Sequence, residues 1–314
     1  MARQPQRWWQ ARVALPALGL ALVGVACTAT SGPPGSGSPE GRSLEIVTTT
    51  TVLGDVARNV VGNDGTVEVL VPIGVDPHEF TPSARQIAAV READLVIANG
   101  LLLEERLADV LESIASDGAN VLTLGDLVDP LPLGEDAEGA LDPHVWFDPL
   151  RMADAARVIA AELDVVAPGV PWSARAESYA AELLAADAAI VEVLESIPAG
   201  RRKLVTNHDA LGYFADRYGF AVVGVVVPGG STLSEPSSAT LADLVETIAR
   251  ENVTVIFAEQ TESVALAEAV AAEIGTDVEV VELYTGSLGE AGSGADTLIG
   301  MLVTNAGLIA DALS

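Results

Sequence analysis

The sequence predicts an α/β protein of two lobes, each holding a roughly four-stranded parallel sheet flanked by helices. From residue 43 onward, short β-branched runs alternate with helical patterns, as in the units that build parallel sheets. These runs fall into two sets of four. Between the sets lies an unbroken helical stretch at 171–197, long enough for ~7 turns, so we expect one long rigid helix to join the lobes.

Eight candidate strands and one helix set the limits of the lobes. The strands of the N-terminal lobe, 43–168, are "LEIVTT" (44–49), "VEVLVP" (67–72), "DLVIAN" (94–99) and "NVLTL" (120–124). The strands of the C-terminal lobe, 199–314, are "KLVTN" (203–207), "AVVGVVV" (221–227), "VTVIFA" (253–258) and "VEVVEL" (278–283). The helix between them begins with Pro171 and ends at "PAG", which gives a linking segment at 169–198.

The N-terminus predicts an exported protein. Arginines at positions 3, 7 and 12 precede an apolar run at 13–26 that is too short to span a bilayer, so residues 1–26 are interpreted as a signal peptide. The run ends at Cys27, the only cysteine, in a "GVAC" stretch that resembles a bacterial lipidation site, although Gly24 stands where leucine is usual. Residues 27–42 then predict a lipidated cysteine and a flexible tether. We expect the protein to be held at the extracytoplasmic membrane face by lipid alone.

Charge and motif content exclude several classes of function. The formal net charge of −29 repels nucleic acid and attracts cations, so we expect no nucleic-acid partner. The chain contains no Gly-rich phosphate loop, no Gly-x-Ser-x-Gly elbow and no Cys-x-x-Cys pair. These classes therefore find no support in the sequence, and the acidic charge by itself is explained by the solubility of an exported protein.

Three histidines, the only ones in the chain, are the candidate metal ligands. His78 and His144 both occur in Asp-Pro-His, and His208 occurs in Asn-His-Asp. Each is predicted to lie near the carboxyl end of a strand, the edge at which open α/β sheets bind ligands, so the imidazoles are expected to converge in the cleft between the lobes. Three imidazoles and one further ligand satisfy a tetrahedral Zn²⁺ ion. The neighbouring aspartates either orient the rings or only form turns, and the sequence leaves both open.

Four longer motifs resemble the zinc- and manganese-binding lipoproteins of bacterial ABC importers, the cluster A-I or ZnuA/TroA-like solute-binding proteins. They are "DPHEFTPSARQIAAVREADLVIANGLLLE" (76–104), "DPHVWFDP" (142–149), "NHDALGYFADRYGF" (207–220) and "GSGADTLIGMLVTNA" (292–306). The resemblance covers about 43–314. It implies two lobes joined by a long helix, with the metal buried between them.

The resemblance also implies a ligand set. His78, His144 and His208 match the first three ligands of the family, and a histidine in the third position favours Zn²⁺ over Mn²⁺. The aspartate that usually supplies the fourth ligand is replaced by Gly286 in "YTGSLG" (284–289). Water or hydroxide, Glu79 or Glu259 are the alternatives. Glu259 is preferred because it ends a strand at the same sheet edge.

The predicted function is therefore capture of Zn²⁺ outside the cell membrane and delivery to an integral-membrane ABC permease driven by a cytoplasmic ATPase. We expect a monomer and no enzymatic activity. An importer component for Mn²⁺ or Fe²⁺ is the nearest alternative. A zinc hydrolase with three histidine ligands and an adhesin stabilised by its metal are the others.

Overall fold

The computed structural model describes residues 43–134, 139–274 and 278–314. The predicted signal peptide, Cys27 and the tether lie outside these residues and stay predictions, as do the exact limits of the lobes. Within the described part of the chain, no helix combines the length and the apolar character needed to cross a bilayer.

Four parallel strands form the first sheet: β1 Leu44–Thr48, β2 Gly65–Val69, β3 Leu95–Ala98 and β4 Val121–Thr123. Their spatial order is β2-β1-β3-β4. The helices that follow the first three strands are α1 Thr51–Val61, α2 Ala84–Glu92 and α3 Ala108–Ser116.

Two consecutive long helices separate this sheet from the next. Helix α4 spans Pro149–Val166, and helix α5 spans Trp172–Leu194. At the start of α4, the Asp148 side chain accepts a hydrogen bond from the Leu150 N–H (2.8 Å), while Pro149 occupies the first turn, where its missing N–H is tolerated. Helix α5 occupies the middle of the predicted linking segment.

The second sheet repeats the first: β5 Lys203–His208, β6 Ala221–Val227, β7 Val255–Glu259 and β8 Glu279–Leu283, all parallel. Their order is β6-β5-β7-β8. The accompanying helices are α6 Gly212–Tyr218, α7 Ser238–Glu251, α8 Ala265–Ile274 and α9 Leu298–Leu313. Two four-stranded parallel sheets flanked by helices confirm the predicted fold class.

One strand is offset from its prediction. The run at 67–72 was expected to be extended, whereas β2 begins at Gly65 and ends at Val69. Gly65 pairs with Leu44, and a Cβ atom at position 65 would lie 2.8 Å from the Leu44 carbonyl oxygen. The glycine therefore permits a close backbone approach that a β-branched pattern does not reveal.

One continuous core extends from the first sheet to the second. It includes Ile46 and Leu95 of the first sheet, Leu183 of α5, and Leu204 and Phe257 of the second sheet. Helix α5 packs against α1, α4 and α9, so it contacts helices from both halves. Because burial of these apolar side chains is the main favourable term in folding, the two sheets share much of their stability through α5.

Side-chain hydrogen bonds fix α5 at two points. The Tyr179 hydroxyl donates to Asp55 of α1 (3.0 Å). Asp187 of α5 binds the end of α6, because its Oδ1 accepts hydrogen bonds from Tyr218 Oη (3.0 Å) and Arg217 Nε (2.9 Å). The long helix is thus bonded to both halves of the protein.

Candidate metal centre

The three predicted histidines lie together between the two sheets. His78 is in the loop after β2, His144 immediately precedes a 3-10 turn at Val145–Phe147, and His208 is the last residue of β5. Each residue exposes 2% or less of its surface. The ring centroids are 5.6 Å apart from His78 to each of the others and 4.9 Å apart between His144 and His208. One ring nitrogen from each histidine lies within 4.8 Å of the others.

The repeated Asp-Pro-His sequence forms the same local turn twice. Asp76 Oδ1 accepts a hydrogen bond from the His78 backbone N–H, and Asp142 Oδ1 accepts one from the His144 backbone N–H, both at 2.9 Å. In each case the carboxylate bonds to the backbone two residues further on, as Asx turns do. The turn interpretation of these aspartates therefore holds for both motifs.

Asp142 has a second role that Asp76 does not share. Its Oδ1 also lies 2.8 Å from His144 Nδ1, where it orients the ring. Asp76 instead accepts from the Thr232 hydroxyl, which belongs to the loop after β6 (2.5 Å). The turn role left open by the sequence therefore applies to both aspartates, and the ring-orienting role applies to Asp142 alone.

The ring nitrogens have unequal partners. His144 Nε2 and His208 Nε2 are 3.0 Å apart, and His208 Nδ1 is hydrogen-bonded to Glu259. By contrast, neither ring nitrogen of His78 has a hydrogen-bond partner among the described residues. The nearest carboxylate in an ion pair with it is that of Glu105, 3.7 Å from Nδ1. Buried polar atoms without partners are uncommon, and here they fit a bound cation.

Burial keeps two of the rings neutral. Burial, and then the neighbouring His144 and His208 rings, lower the pKa of His78 to about 3. Burial and the His208 ring also hold the pKa of His144 well below its usual range. Neutral imidazole is the form that binds metal ions, so both rings are in the ligating state at neutral pH.

His208 differs because of its carboxylate partner. Burial opposes protonation of His208, but the charge and hydrogen bond of Glu259 outweigh it and raise the His208 pKa to about 8. For Glu259 itself, burial would raise the pKa, yet His208 and the Thr285 hydroxyl leave that pKa below the usual range. The pair therefore holds a proton at pH 7 that a metal ion must displace.

Glu259 is not part of the three-histidine group. Among the described residues, the ligand atoms that all lie within 4.8 Å of one another come from His78, His144 and His208 alone, while Glu259 groups with His208 and Glu262. Its bond to His208 Nδ1 is that of a carboxylate orienting a ligand. The assignment of Glu259 as fourth ligand stays a prediction that this arrangement does not favour. Glu79, the other carboxylate considered, is exposed.

Gly286 lies beside the histidine loops. A Cβ atom at this position would be 3.1 Å from Pro77 Cδ and 3.4 Å from Thr261 Oγ1, so a side chain here would begin next to the loop that carries His78. Gly286 therefore packs against the loop that carries His78 and has no side chain that could bind a metal.

The sequence did not indicate several residues whose hydrogen bonds join the loops around the three histidines. Trp146 Nε1 donates to the Thr285 carbonyl (2.9 Å), and the Gly74 backbone N–H donates to Ser287 Oγ (3.0 Å). These bonds join the loop after β8 to the N-terminal half. Only the tryptophan gave any signal, because an indole N–H inside the histidine motif needs a partner when buried.

Comparison with known proteins identifies the family. The model of the family described as zinc-uptake complex component A, periplasmic, matches residues 46–312. The chain belongs to this family. Among relatives, the manganese-binding lipoprotein MntA of Halalkalibacterium halodurans is 32% identical over 94% of this chain and 96% of its own. The zinc-binding protein TroA of Treponema pallidum is 33% identical over 88% and 90%.

Other relatives and solved structures are named for iron or for zinc. The iron-binding protein YfeA of Yersinia pestis is 32% identical over 86% of each chain. Among solved structures, the periplasmic zinc-binding protein TroA from Treponema pallidum superposes with a TM-score of 0.80 and 32% identity over 86% of this chain and 98% of that chain. The predicted family resemblance is confirmed.

Proposed function

We propose that this protein captures Zn²⁺ outside the cytoplasm and delivers it to the permease of an ABC-type importer. The observation that carries the proposal is the group of three buried histidines with ring nitrogens within 4.8 Å of one another. Membership of a zinc-uptake family supports the transport role. His78, His144 and His208 are the proposed ligands, and Glu259 orients His208.

The donor set favours zinc over manganese. Imidazole nitrogen is a borderline ligand that suits Zn²⁺, whereas Mn²⁺ prefers carboxylate and other oxygen donors. The described group contains three imidazoles and no carboxylate. Relatives are named for zinc, manganese and iron, so a Mn²⁺ or Fe²⁺ importer component is the alternative function to test.

The centre is better suited to holding an ion than to catalysis. All three rings are at least 98% buried, which leaves a substrate little access to a bound metal. Release then requires the loops that close the centre to separate, including the Trp146–Thr285 and Thr232–Asp76 hydrogen bonds. A binding component that opens when it docks on its permease meets this requirement.

The location and partners complete the proposal. The lipoprotein names of several relatives support anchoring through Cys27 at the extracytoplasmic face. A cytoplasmic ATPase would drive the permease, and the binding protein would act as a monomer.

A competition titration tests the proposed function. Metal-free protein is titrated with Zn²⁺ and separately with Mn²⁺ against a chromophoric chelator. We expect one tight zinc site per chain and weaker manganese binding. His144→Ala removes a proposed ligand, so its zinc affinity should fall by more than the ~10–100-fold that is typical when a residue behind the ligands is changed. Glu177→Gln, in an exposed ion pair with Arg157, is the matched control and should bind zinc as the wild type does. Absence of zinc binding, or equal binding by His144→Ala, would refute the proposal.

A further inference from the structure

A turn of left-handed backbone follows β3 at the carboxyl edge of the first sheet. Gly100, Leu101 and Leu102 have φ values of 77°, 54° and 65°. Glycine adopts this conformation readily, whereas a leucine in it brings its Cβ too close to the following carbonyl oxygen. Strained backbone of this kind persists only where the surrounding structure enforces it, and it is concentrated at functional sites. The two leucines therefore point to a use for this turn.

Hydrogen bonds and packing hold the turn in place. The buried Glu104 carboxylate accepts a hydrogen bond from the Gly100 N–H (3.0 Å), and the Leu103 N–H donates to the Gly100 carbonyl (3.0 Å). Leu103 exposes 0% of its surface, and Leu101 packs against the core. Leu102, between these two anchored leucines, exposes 74%. The strained turn thus projects one apolar side chain into solvent.

An apolar groove adjoins the exposed leucine. Its volume is about 350 Å³, and its lining includes Leu101, Leu102, Ala108, Leu111, Ala115 and Val121. A single exposed leucine is ordinary on a folded protein, but a protruding leucine beside an apolar groove is typical of a surface that binds another protein.

The charged residues around this surface indicate the character of its partner. Between Leu102 and Ala115, the exposed charged side chains are Glu105, Arg106, Asp109 and Glu112. Acidic residues therefore outnumber basic ones along this stretch. Complementary charge favours a partner whose apolar contact is bordered by basic side chains.

The turn is also joined to two of the three histidines. A carboxylate oxygen of Glu105 lies 3.7 Å from His78 Nδ1. At the start of the turn, the Asn99 side chain donates to the Pro143 carbonyl, next to His144 (2.9 Å). Leu102 therefore belongs to the loop beside the metal centre, where a protein that receives the metal has to bind.

We propose that Leu102 and the groove beside it form a contact site for the permease, which binds there through apolar side chains bordered by basic ones. This inference rests on the proposed function, since that function supplies the partner. The permease has to approach the metal centre to receive the ion, and the turn lies at that centre. Because the backbone of the turn is already held in place, binding orders little further chain and the burial of Leu102 contributes directly to affinity.

Uptake of radioactive Zn²⁺ by cells that natively produce the protein tests this contact, with each variant introduced at the chromosomal gene. We expect Leu102→Asn to bind Zn²⁺ as the wild type does in the chelator titration, yet to reduce uptake at least ~10-fold. Leu102→Met keeps an apolar side chain and should retain most of the uptake. Leu184→Asn changes an exposed leucine of α5, away from the turn, and is the matched control that should transport zinc as the wild type does.

The outcomes separate the contact from the proposed function. Wild-type uptake by His144→Ala would refute the proposed function itself. Loss of uptake by His144→Ala together with wild-type uptake by Leu102→Asn would leave that function intact and overturn the contact, as would an equal loss in Leu102→Met or Leu184→Asn. Asparagine adopts left-handed backbone more readily than leucine, so the Tm of Leu102→Asn should be no lower than that of the wild type. A lower Tm would assign Leu102 to stability and overturn its role in docking.

Discussion

Replacing His78 by leucine should stabilise the metal-free protein while abolishing metal binding. His78 is 1% exposed, and neither of its ring nitrogens has a hydrogen-bond partner among the described residues. A buried polar group without a partner destabilises a fold, and it persists where function requires it. Leucine has a similar size and no polar atoms, so it removes the unpaired nitrogens without leaving a large cavity.

The magnitude follows from the two ring nitrogens. Each unpaired buried donor or acceptor costs about 1–3 kcal/mol, and a volume-conserving exchange in the core costs up to about 1.5 kcal/mol. Together the two nitrogens cost about 2–6 kcal/mol, so after the cost of the exchange we expect His78→Leu to raise the free energy of unfolding of the metal-free protein by about 0.5–6 kcal/mol. At about 2 °C per kcal/mol for a protein of this size, the Tm should increase by about 1–12 °C.

His144→Leu is the matched control because the same exchange is made in a paired ring. It removes the contacts of His144 with Asp142 and His208 and leaves buried polar atoms unpaired, so it should destabilise the metal-free protein by about 1–3 kcal/mol.

Thermal unfolding of both variants, first with chelator and then with excess Zn²⁺, measures these effects. Zinc should raise the Tm of the wild type only. A metal-free Tm of His78→Leu at or below that of the wild type would refute the reasoning.

Three further predictions concern pH and the carboxylate behind His208. The folded pKa of His78, about 3, is below its unfolded value of about 6.5, so the unfolded chain takes up the proton first and stability falls as the pH decreases through this window. Between pH 7 and pH 5, the free energy of unfolding measured in urea should therefore fall by about 2 kcal/mol less for His78→Leu than for the wild type. An equal decrease in both proteins would contradict this prediction. Because the pKa of His208 is about 8, zinc must displace its proton below pH 8, and zinc affinity should fall by about tenfold per pH unit there. A constant affinity between pH 9 and pH 6 in chelator competition would exclude proton displacement. Glu259→Gln keeps an oxygen that accepts from His208 Nδ1–H but removes the charge, so it should weaken zinc binding ~10–100-fold. Glu259→Ala removes the oxygen as well and should bind zinc more weakly than Glu259→Gln. Wild-type affinity in both variants would show that Glu259 does not orient His208.

The convergence of the histidines was predictable because parallel strands end at a common edge. His208 ends β5, and His78 follows β2 by a short loop, so the alternation of strands and helices was enough to place both in the same region. The long helix was predictable because its sequence is helix-forming throughout. Its ends, at Trp172 and Leu194, lie within three residues of the predicted 171–197.

Orientation and long-range pairing were not predictable from the sequence. The end of β7 placed Glu259 at the correct edge, but only side-chain geometry reveals that it bonds to His208 Nδ1. The Trp146–Thr285 bond joins residues 139 positions apart, and no local pattern indicates such a pair.

The backbone after β3 shows the same limit. Leu101 and Leu102 have φ values of 54° and 65°, in a region that non-glycine residues rarely adopt. The buried Glu104 carboxylate accepts from the Asn99 and Gly100 N–H groups at the start of this turn (2.8 and 3.0 Å). The Asn99 side chain in turn donates to the Pro143 carbonyl, next to His144 (2.9 Å). Residue propensities could not predict this network, because it includes a hydrogen bond between residues that are far apart in the sequence.

X-ray absorption at the zinc K edge of the zinc-loaded protein tests the central claim most directly. The account predicts three imidazole nitrogens at about 2.0–2.1 Å from the metal, with one further oxygen ligand. Because the chain contains three histidines, all must bind to give this result. A spectrum with two imidazoles or fewer would contradict the assignment of His78, His144 and His208 as the metal ligands.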